Sequence, residues 1–133
     1  MNPTCRILLV DDHYVVRMGM ASSLNLEPDL EVVAEAENGD SAISLYREHR
    51  PDLVVLDWRL PDLCGGDVIK ALHAEYPAAR VLVLSAFESE EVIYQALQAG
   101  AVGYLAKSSR RPELIAAIRL AAQGKAAFSA DIA

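Results

Sequence analysis

Aromatic residues are scarce in this chain, at 6% of its 133 residues, and cysteine occurs only twice, at Cys5 and Cys64. A core poor in rings must be layered from aliphatic side chains, and an apolar content of 53% supplies them. Two cysteines are too few for a disulfide framework, and their spacing suits no metal. No apolar stretch approaches the ~18 residues of a membrane-spanning helix, and no charged-then-apolar leader opens the chain. Positive charge is also short: the formal net charge is −7. That balance argues against nucleic acid or an acidic membrane as a partner of these residues themselves. Internal repeats and low-complexity tracts are absent. The expectation is one soluble, cytoplasmic domain with enough core to fold without staples.

What the chain does have is four short apolar runs, each ending on a residue able to handle magnesium or phosphate. Ile7-Leu8-Leu9-Val10 runs into Asp11-Asp12, and Leu53-Val54-Val55-Leu56 runs into Asp57. Val81-Leu82-Val83-Leu84 runs into Ser85, and Gly103-Tyr104-Leu105-Ala106 runs into Lys107. Continuous apolar runs are the mark of parallel strands covered on both faces, and open α/β sheets gather ligands at the carboxyl ends of such strands.

Helical patterns alternate with these runs. Tyr14 to Leu26 carries Val16, Met20 and Leu24 at helical spacing, and Gly19 is expected to let this helix approach the sheet. Leu30 to Ala36 reads as a strand of partial alternation. Asn38-Gly39 makes a turn, and Asp40 or Ser41 is expected to cap the next helix. A third helix follows Gly65-Gly66 and ends near Pro77. Ser89 caps a fourth helix with Glu88, Glu90 and Glu91 around its start and with Val92, Ile93, Ala96 and Leu97 on its apolar face. Gly100 stops it. Pro112 opens the last helix, which buries Leu114, Ile115, Ile118 and Ala122. Five βα units with short connections predict a doubly wound α/β fold, a five-stranded parallel sheet in order 2-1-3-4-5. That order puts Asp11, Asp12 and Asp57 together, with Ser85 and Lys107 at their flanks.

Three clustered carboxylates repel one another, so a divalent cation or protonation must relieve them. Mg²⁺ favours hard oxygen ligands and one or two carboxylates beside phosphate oxygens. Asp12 and Asp57 suit an ion with Asp11 behind them, and Asp57 then stands as an oxygen nucleophile toward phosphorus, with Lys107 neutralising charge. Taken singly, Asp12 is an ordinary cap, Ser85 a turn residue and Lys107 a solvated cation. Their joint occurrence at four strand ends carries the chemical reading.

The strings Val10-Asp11-Asp12-His13, Asp57-Trp58-Arg59-Leu60-Pro61 with Gly65, Leu84-Ser85-Ala86 and Gly103-Tyr104-Leu105-Ala106-Lys107 resemble the receiver domain of two-component response regulators, with its flavodoxin-like fold. The resemblance spans essentially the whole chain. It implies phosphorylation of Asp57 by a phosphohistidine of a sensor histidine kinase, with Mg²⁺ as cofactor. By position, Asp11, Asp12, Asp57 and the backbone carbonyl of Arg59 would hold the metal. Ser85 takes the place of the signalling hydroxyl, Lys107 of the phosphate-contacting lysine, and Tyr104 of the switch aromatic that turns inward. Such a domain is a phosphoacceptor rather than an enzyme, at most phosphorylating itself from small donors and dephosphorylating itself.

Gly100-Ala101-Val102-Gly103 and the last helix up to Gly124 look like the NarL/FixJ type, whose members usually continue into a LuxR-type helix-turn-helix domain. Residues 1–124 are thus expected to form the receiver, and 125–133 the start of a linker toward a DNA-binding domain absent from this sequence. A homodimer formed on phosphorylation is expected through the last two helices, on a charge contrast between Glu88, Glu90, Glu91 and Arg110, Arg111, Arg119, Lys125, or through helices one and five. Ser108 stands where many receivers have a cis proline, which leaves that peptide bond open. His13 reads as a helix-start residue, Cys64 as a spectator, and Arg59 as pointing to water or reaching the phosphoryl oxygens. Rival readings are weaker. A haloacid-dehalogenase-like phosphatase needs Asp-x-Asp after strand one, and a flavodoxin needs a hydroxyl-rich phosphate loop there. A non-phosphorylated pseudo-receiver would lack one of the key residues.

Overall fold

The computed structural model describes residues 4–86 and 89–128. In chain order the elements are β1 (Cys5–Val10), α1 (Tyr14–Asn25), β2 (Leu30–Ala36), α2 (Gly39–His49), β3 (Leu53–Asp57), α3 (Gly65–Glu75), β4 (Val81–Ser85), α4 (Glu90–Ala99), β5 (Gly103–Ala106), α5 (Arg111–Ala122) and β6 (Ala127–Phe128). Every strand pairing is parallel, in the order β2-β1-β3-β4-β5-β6. The expected order 2-1-3-4-5 is present. Two residues of the stretch expected to begin a linker add β6 beside β5. Glu88 and residues 129–133 lie outside the described residues.

Successive side chains of a strand point to opposite faces, so each apolar run feeds two cores at once. Ile7, Leu9, Leu53, Val55, Leu82, Leu84 and Leu105 pack with Leu24 of α1 and Ile115 and Ile118 of α5. Leu8, Val10, Val54, Leu56, Val81, Val83 and Tyr104 pack on the other face with Val68, Ile69 and Leu72 of α3 and Ala96 of α4. Each fully buried aliphatic side chain stabilises the fold by about 1.5–3 kcal/mol, which is why these positions tolerate nothing polar. Asp11, Asp57 and Lys107 continue the α1/α5-facing rows of Leu9, Val55 and Leu105, two residues further along.

Several helix ends follow the expectation. Ser89 Oγ accepts from the Val92 N–H at 3.1 Å, and Gly100 takes φ +108°, a left-handed stop suited to glycine. Pro112 lies in the first turn of α5. Other expectations fail, Ala122 of α5 among them, since Ala121 holds the buried position there. The N-cap of α2 is Asn38, whose Oδ1 accepts from the Ser41 N–H at 2.8 Å, rather than Asp40 or Ser41. A Cβ on Gly19 would meet nothing within 4 Å, so this glycine brings no close approach. Val16 is 43% exposed, because the inward stripe of α1 runs through Arg17, Ala21 and Leu24, and Arg17 spends its inward position on a polar contact with the end of β1. Leu97 of α4 is also largely exposed, Ala96 being the buried residue there.

All peptide bonds of the described residues are trans, Lys107–Ser108 included. No helix among them is long and apolar enough to cross a membrane. At the sheet edge, a Cβ on Gly103 would lie 2.1 Å from the Ala127 carbonyl oxygen. That atom belongs to backbone and cannot swing aside. Gly103→Ala is therefore expected to push β6 off β5 and lower stability by about 1–3 kcal/mol, as overpacking does. Thermal denaturation checks it, and an unchanged melting temperature would show that β6 contributes nothing to the fold.

Candidate functional site

Register places the strand ends side by side. Val10 pairs with Leu56, Asp57 with Leu84, and Ser85 with Ala106. Backbone bonds just past the ladders hold these ends: Asp11 N–H to the Ala36 carbonyl at 3.0 Å, Trp58 N–H to Leu84 at 2.9 Å, and Lys107 N–H to Ser85 at 2.9 Å. Asp11 and Asp57 are only 3% and 5% exposed, and Ser85 2%. Polar groups this buried must find partners.

The Lys107 ammonium bridges the two buried carboxylates, 2.9 Å from Asp11 Oδ2 and 3.0 Å from Asp57 Oδ2. Asp11 Oδ1 accepts from the His13 backbone N–H at 2.9 Å, and the His13 ring Nδ1 lies 2.9 Å from the same oxygen. The Arg59 N–H donates to Asp57 Oδ1 at 3.3 Å. Burial pushes the Asp57 carboxyl above the usual carboxylate range; Lys107 pulls it back only in part, and Asp11 adds to the rise. Burial would raise Asp11 as well, yet the His13 amide and Lys107 together hold it below that range. Lys107 would lose basicity by burial, but its bonds to Asp11 and Asp57 more than restore it.

Asp12 is more open, and its carboxylate joins the set. One ligand atom from each of Asp11, Asp12, His13 and Asp57 falls within 4.8 Å of the others. Three carboxylates face one ammonium here, so the cluster carries an excess of negative charge that a hard divalent cation would relieve. The donor set fits Mg²⁺. A pocket of about 260 Å³ opens over it, lined by Asp12, His13, Asp57, Arg59, Leu60, Pro61, Ser85, Ala86 and Lys107. A larger cavity of about 550 Å³ lies at the opposite, amino-terminal ends of the strands. Its charged lining is already engaged: Arg119 with Asp29 across the cavity itself, Asp52 with the Arg6 amide, and Arg80 with the Ala122 carbonyl.

The predicted residues thus come together: Asp11, Asp12, Asp57 and Lys107 at the centre, and Ser85 and Arg59 on the wall. Tyr104 is fully buried in the α3/α4-facing cluster. Three contributors escape sequence reasoning. The His13 ring turns into the acidic cluster, not merely starting a helix. Arg17 Nη1 donates to the Asp11 carbonyl at 2.6 Å and fixes the end of β1. Asp62 accepts from the amides of Gly39 and Asp40, which hold it below the usual carboxylate range, Gly39 foremost. Only His13, flanked by the acidic pair, carries a local signal.

A family model described as the response regulator receiver domain matches residues 7–119. The chain belongs to the response regulator receiver domain family. Among curated relatives, this receiver is 35% identical over 128 residues to the transcriptional regulatory protein LiaR of Bacillus subtilis, covering 96% of this chain and 61% of that protein. It is 38% identical over 120 residues to the probable transcriptional regulatory protein NarL of Mycobacterium tuberculosis, covering 90% and 56%. The receiver therefore spans a little over half the length of these relatives. A solved LuxR-family two-component response regulator from an Aurantimonas species superposes with a TM-score of 0.93 at 40% identity, over 97% of this chain and 92% of that one. The receiver domain of the M. tuberculosis NarL gives 0.89 at 37%, over 93% and 100%. The expected receiver fold and the NarL/LuxR kinship are both borne out.

Proposed function

We propose that this receiver accepts a phosphoryl group on Asp57 from a phosphohistidine of a sensor histidine kinase in the cytoplasm. The observation that carries the reading is the buried Asp57 carboxylate, 3.0 Å from Lys107 at the floor of an open pocket. An Asp57 oxygen attacks phosphorus, the phosphorus–nitrogen bond breaks, and the imidazole leaves with the bonding pair and takes up a proton. An acyl phosphate remains. Lys107 stays beside the new phosphoryl oxygens and balances their charge. Asp11, Asp12, Asp57 and the Arg59 backbone carbonyl would hold Mg²⁺, which when bound supplies further positive charge to those oxygens. Water later attacks the phosphorus, the bond to the Asp57 oxygen breaks, and inorganic phosphate leaves with the carboxylate restored; small phosphodonors can replace the kinase.

Ser85 then donates a hydrogen bond from its hydroxyl to the phosphoryl group, and Tyr104, on the neighbouring strand and already turned inward here, acts as the output lever. The receiver, residues 1–124, would pass the signal through a segment beginning at residue 125, whose Ala127 and Phe128 still pair with β5, to a helix-turn-helix DNA-binding domain, with homodimerisation on phosphorylation. Arg111 and Arg119 are already paired with Glu27 and Asp29, which weakens the charge contrast across helices four and five and favours the face of α1 and α5.

The test is incubation with a small-molecule phosphodonor and Mg²⁺, followed by intact mass. One acid-stable, base-labile phosphoryl group is expected, and chelation of the metal should remove it. Unmodified protein, or incorporation indifferent to chelation, refutes the reading.

A further inference from the structure

The loop from β3 to α3 forms one wall of the pocket, since Arg59, Leu60 and Pro61 all line it. Its base is closed by the antiparallel bridge of Arg59 with Cys64 and by the Gly65 N–H donating to the Trp58 carbonyl at 2.7 Å. Its tip is tied to a different helix. Asp62 Oδ1 accepts from the Gly39 N–H at 2.8 Å, and Asp62 Oδ2 from the Asp40 N–H at 3.0 Å.

The first amides of a helix have no partner inside it. In α2, Ala42 bonds back to the Asn38 carbonyl, and the Asn38 side chain takes Ser41. The two remaining amides, Gly39 and Asp40, go to the Asp62 carboxylate, whose charge also suits the positive end of the helix dipole. The neighbouring contact is tight: a Cβ on Gly39 would lie 2.8 Å from Leu63 Cδ1. Asp40 is exposed, so water could serve its amide, whereas Gly39 is buried. Water could not tie the loop to α2.

We propose that Asp62 is a positioning residue for the pocket, stapling the Arg59–Pro61 wall to α2 and so fixing its distance from Asp12 and Asp57. This rests on the reading of the pocket as a Mg²⁺ and phosphoryl site. A wall bridged at its base and stapled at its tip presents its backbone in one geometry, and preorganisation of that kind raises affinity without adding a ligand.

Mg²⁺ affinity by titration calorimetry, with the phosphorylation rate by intact mass, tests it on the wild type, Asp62→Ala, Asp62→Asn and Asn38→Ala. The last removes a cap from the same helix end and leaves the loop tied. Asp62→Ala is expected to raise the Mg²⁺ dissociation constant about tenfold, the low end for outer partners of metal ligands. Its phosphorylation rate should drop at low Mg²⁺ and recover at saturation. Asp62→Asn, keeping one accepting oxygen, falls between, and Asn38→Ala stays near the wild type. Equal constants for wild type and Asp62→Ala overturn the role of Asp62 alone, as does an equal weakening by Asn38→Ala. A wild type that binds no Mg²⁺ overturns the functional reading as well. Should Asp62→Ala fail to fold, Asp62→Asn against Asn38→Ala decides.

Discussion

Asp57→Asn abolishes phosphate incorporation while leaving a folded protein of equal or greater stability. The substitution keeps the shape of the side chain and exchanges one oxygen for an amide nitrogen, which is no nucleophile toward phosphorus. The stability half follows from burial. Asp57 sits above the ordinary carboxylate value of 3.8. A carboxyl raised in the folded state contributes stability that is complete below 3.8 and is lost as pH rises through its folded value. Asparagine has no proton to lose, so near pH 7 and without Mg²⁺ the variant escapes that loss. Its melting temperature should match or exceed the wild type's, and its mass should stay unmodified by phosphodonor. A phosphorylated Asp57→Asn protein would move the acceptor elsewhere.

Lys107→Met has the second large effect, on rate and pH response together. Methionine approximates the length of the stem but leaves Asp11 and Asp57 facing each other without the bridging cation. Removing a charged group aimed at the transferring phosphoryl oxygens slows such a step by roughly 10²–10³. In the wild type the carboxyls pull stability in opposite directions. Asp57 loses it as pH rises above 3.8, whereas Asp11, held below 3.8, contributes stability that is present above that value and lost as pH falls further. Without Lys107, Asp11 loses one of its two main supports and burial dominates, so both carboxyls rise. Stability of the variant should then decline more steeply than the wild type's as pH rises above 3.8, and Mg²⁺ should restore much of it. Parallel pH profiles for the two proteins would refute the bridging role. Thermal melts across pH, with and without Mg²⁺, give the answer.

Much of this arrangement was legible because it is local. The apolar runs had to be strands covered on both faces, and the polar residues ending them followed by register. Ser89 and Gly100 announce helix ends through their own chemistry. What stayed hidden depends on partners far away in sequence. Val16 turned outward because Arg17 claimed the inward stripe for the Asp11 carbonyl. Asp40 and Ser41 looked like caps, yet the amides of Gly39 and Asp40 go to Asp62, and the cap role to Asn38. Strand β6 has two residues, too few for any periodicity, and is defined by its pairing with β5. The His13 ring could be placed only once Asp11 and Asp57 had been.

The bond between Lys107 and Asp57 joins residues 50 positions apart, and that between Lys107 and His13 joins residues 94 apart. During synthesis, at roughly 5–20 residues per second, Asp57 therefore leaves the ribosome seconds before the lysine that pairs with it. A nascent chain ending short of β5 carries Asp57 but not a working site. The cluster of Asp11, Lys107 and Asp57 closes only once the residue after β5 has emerged, so a shorter nascent chain offers a signal nothing complete to act on.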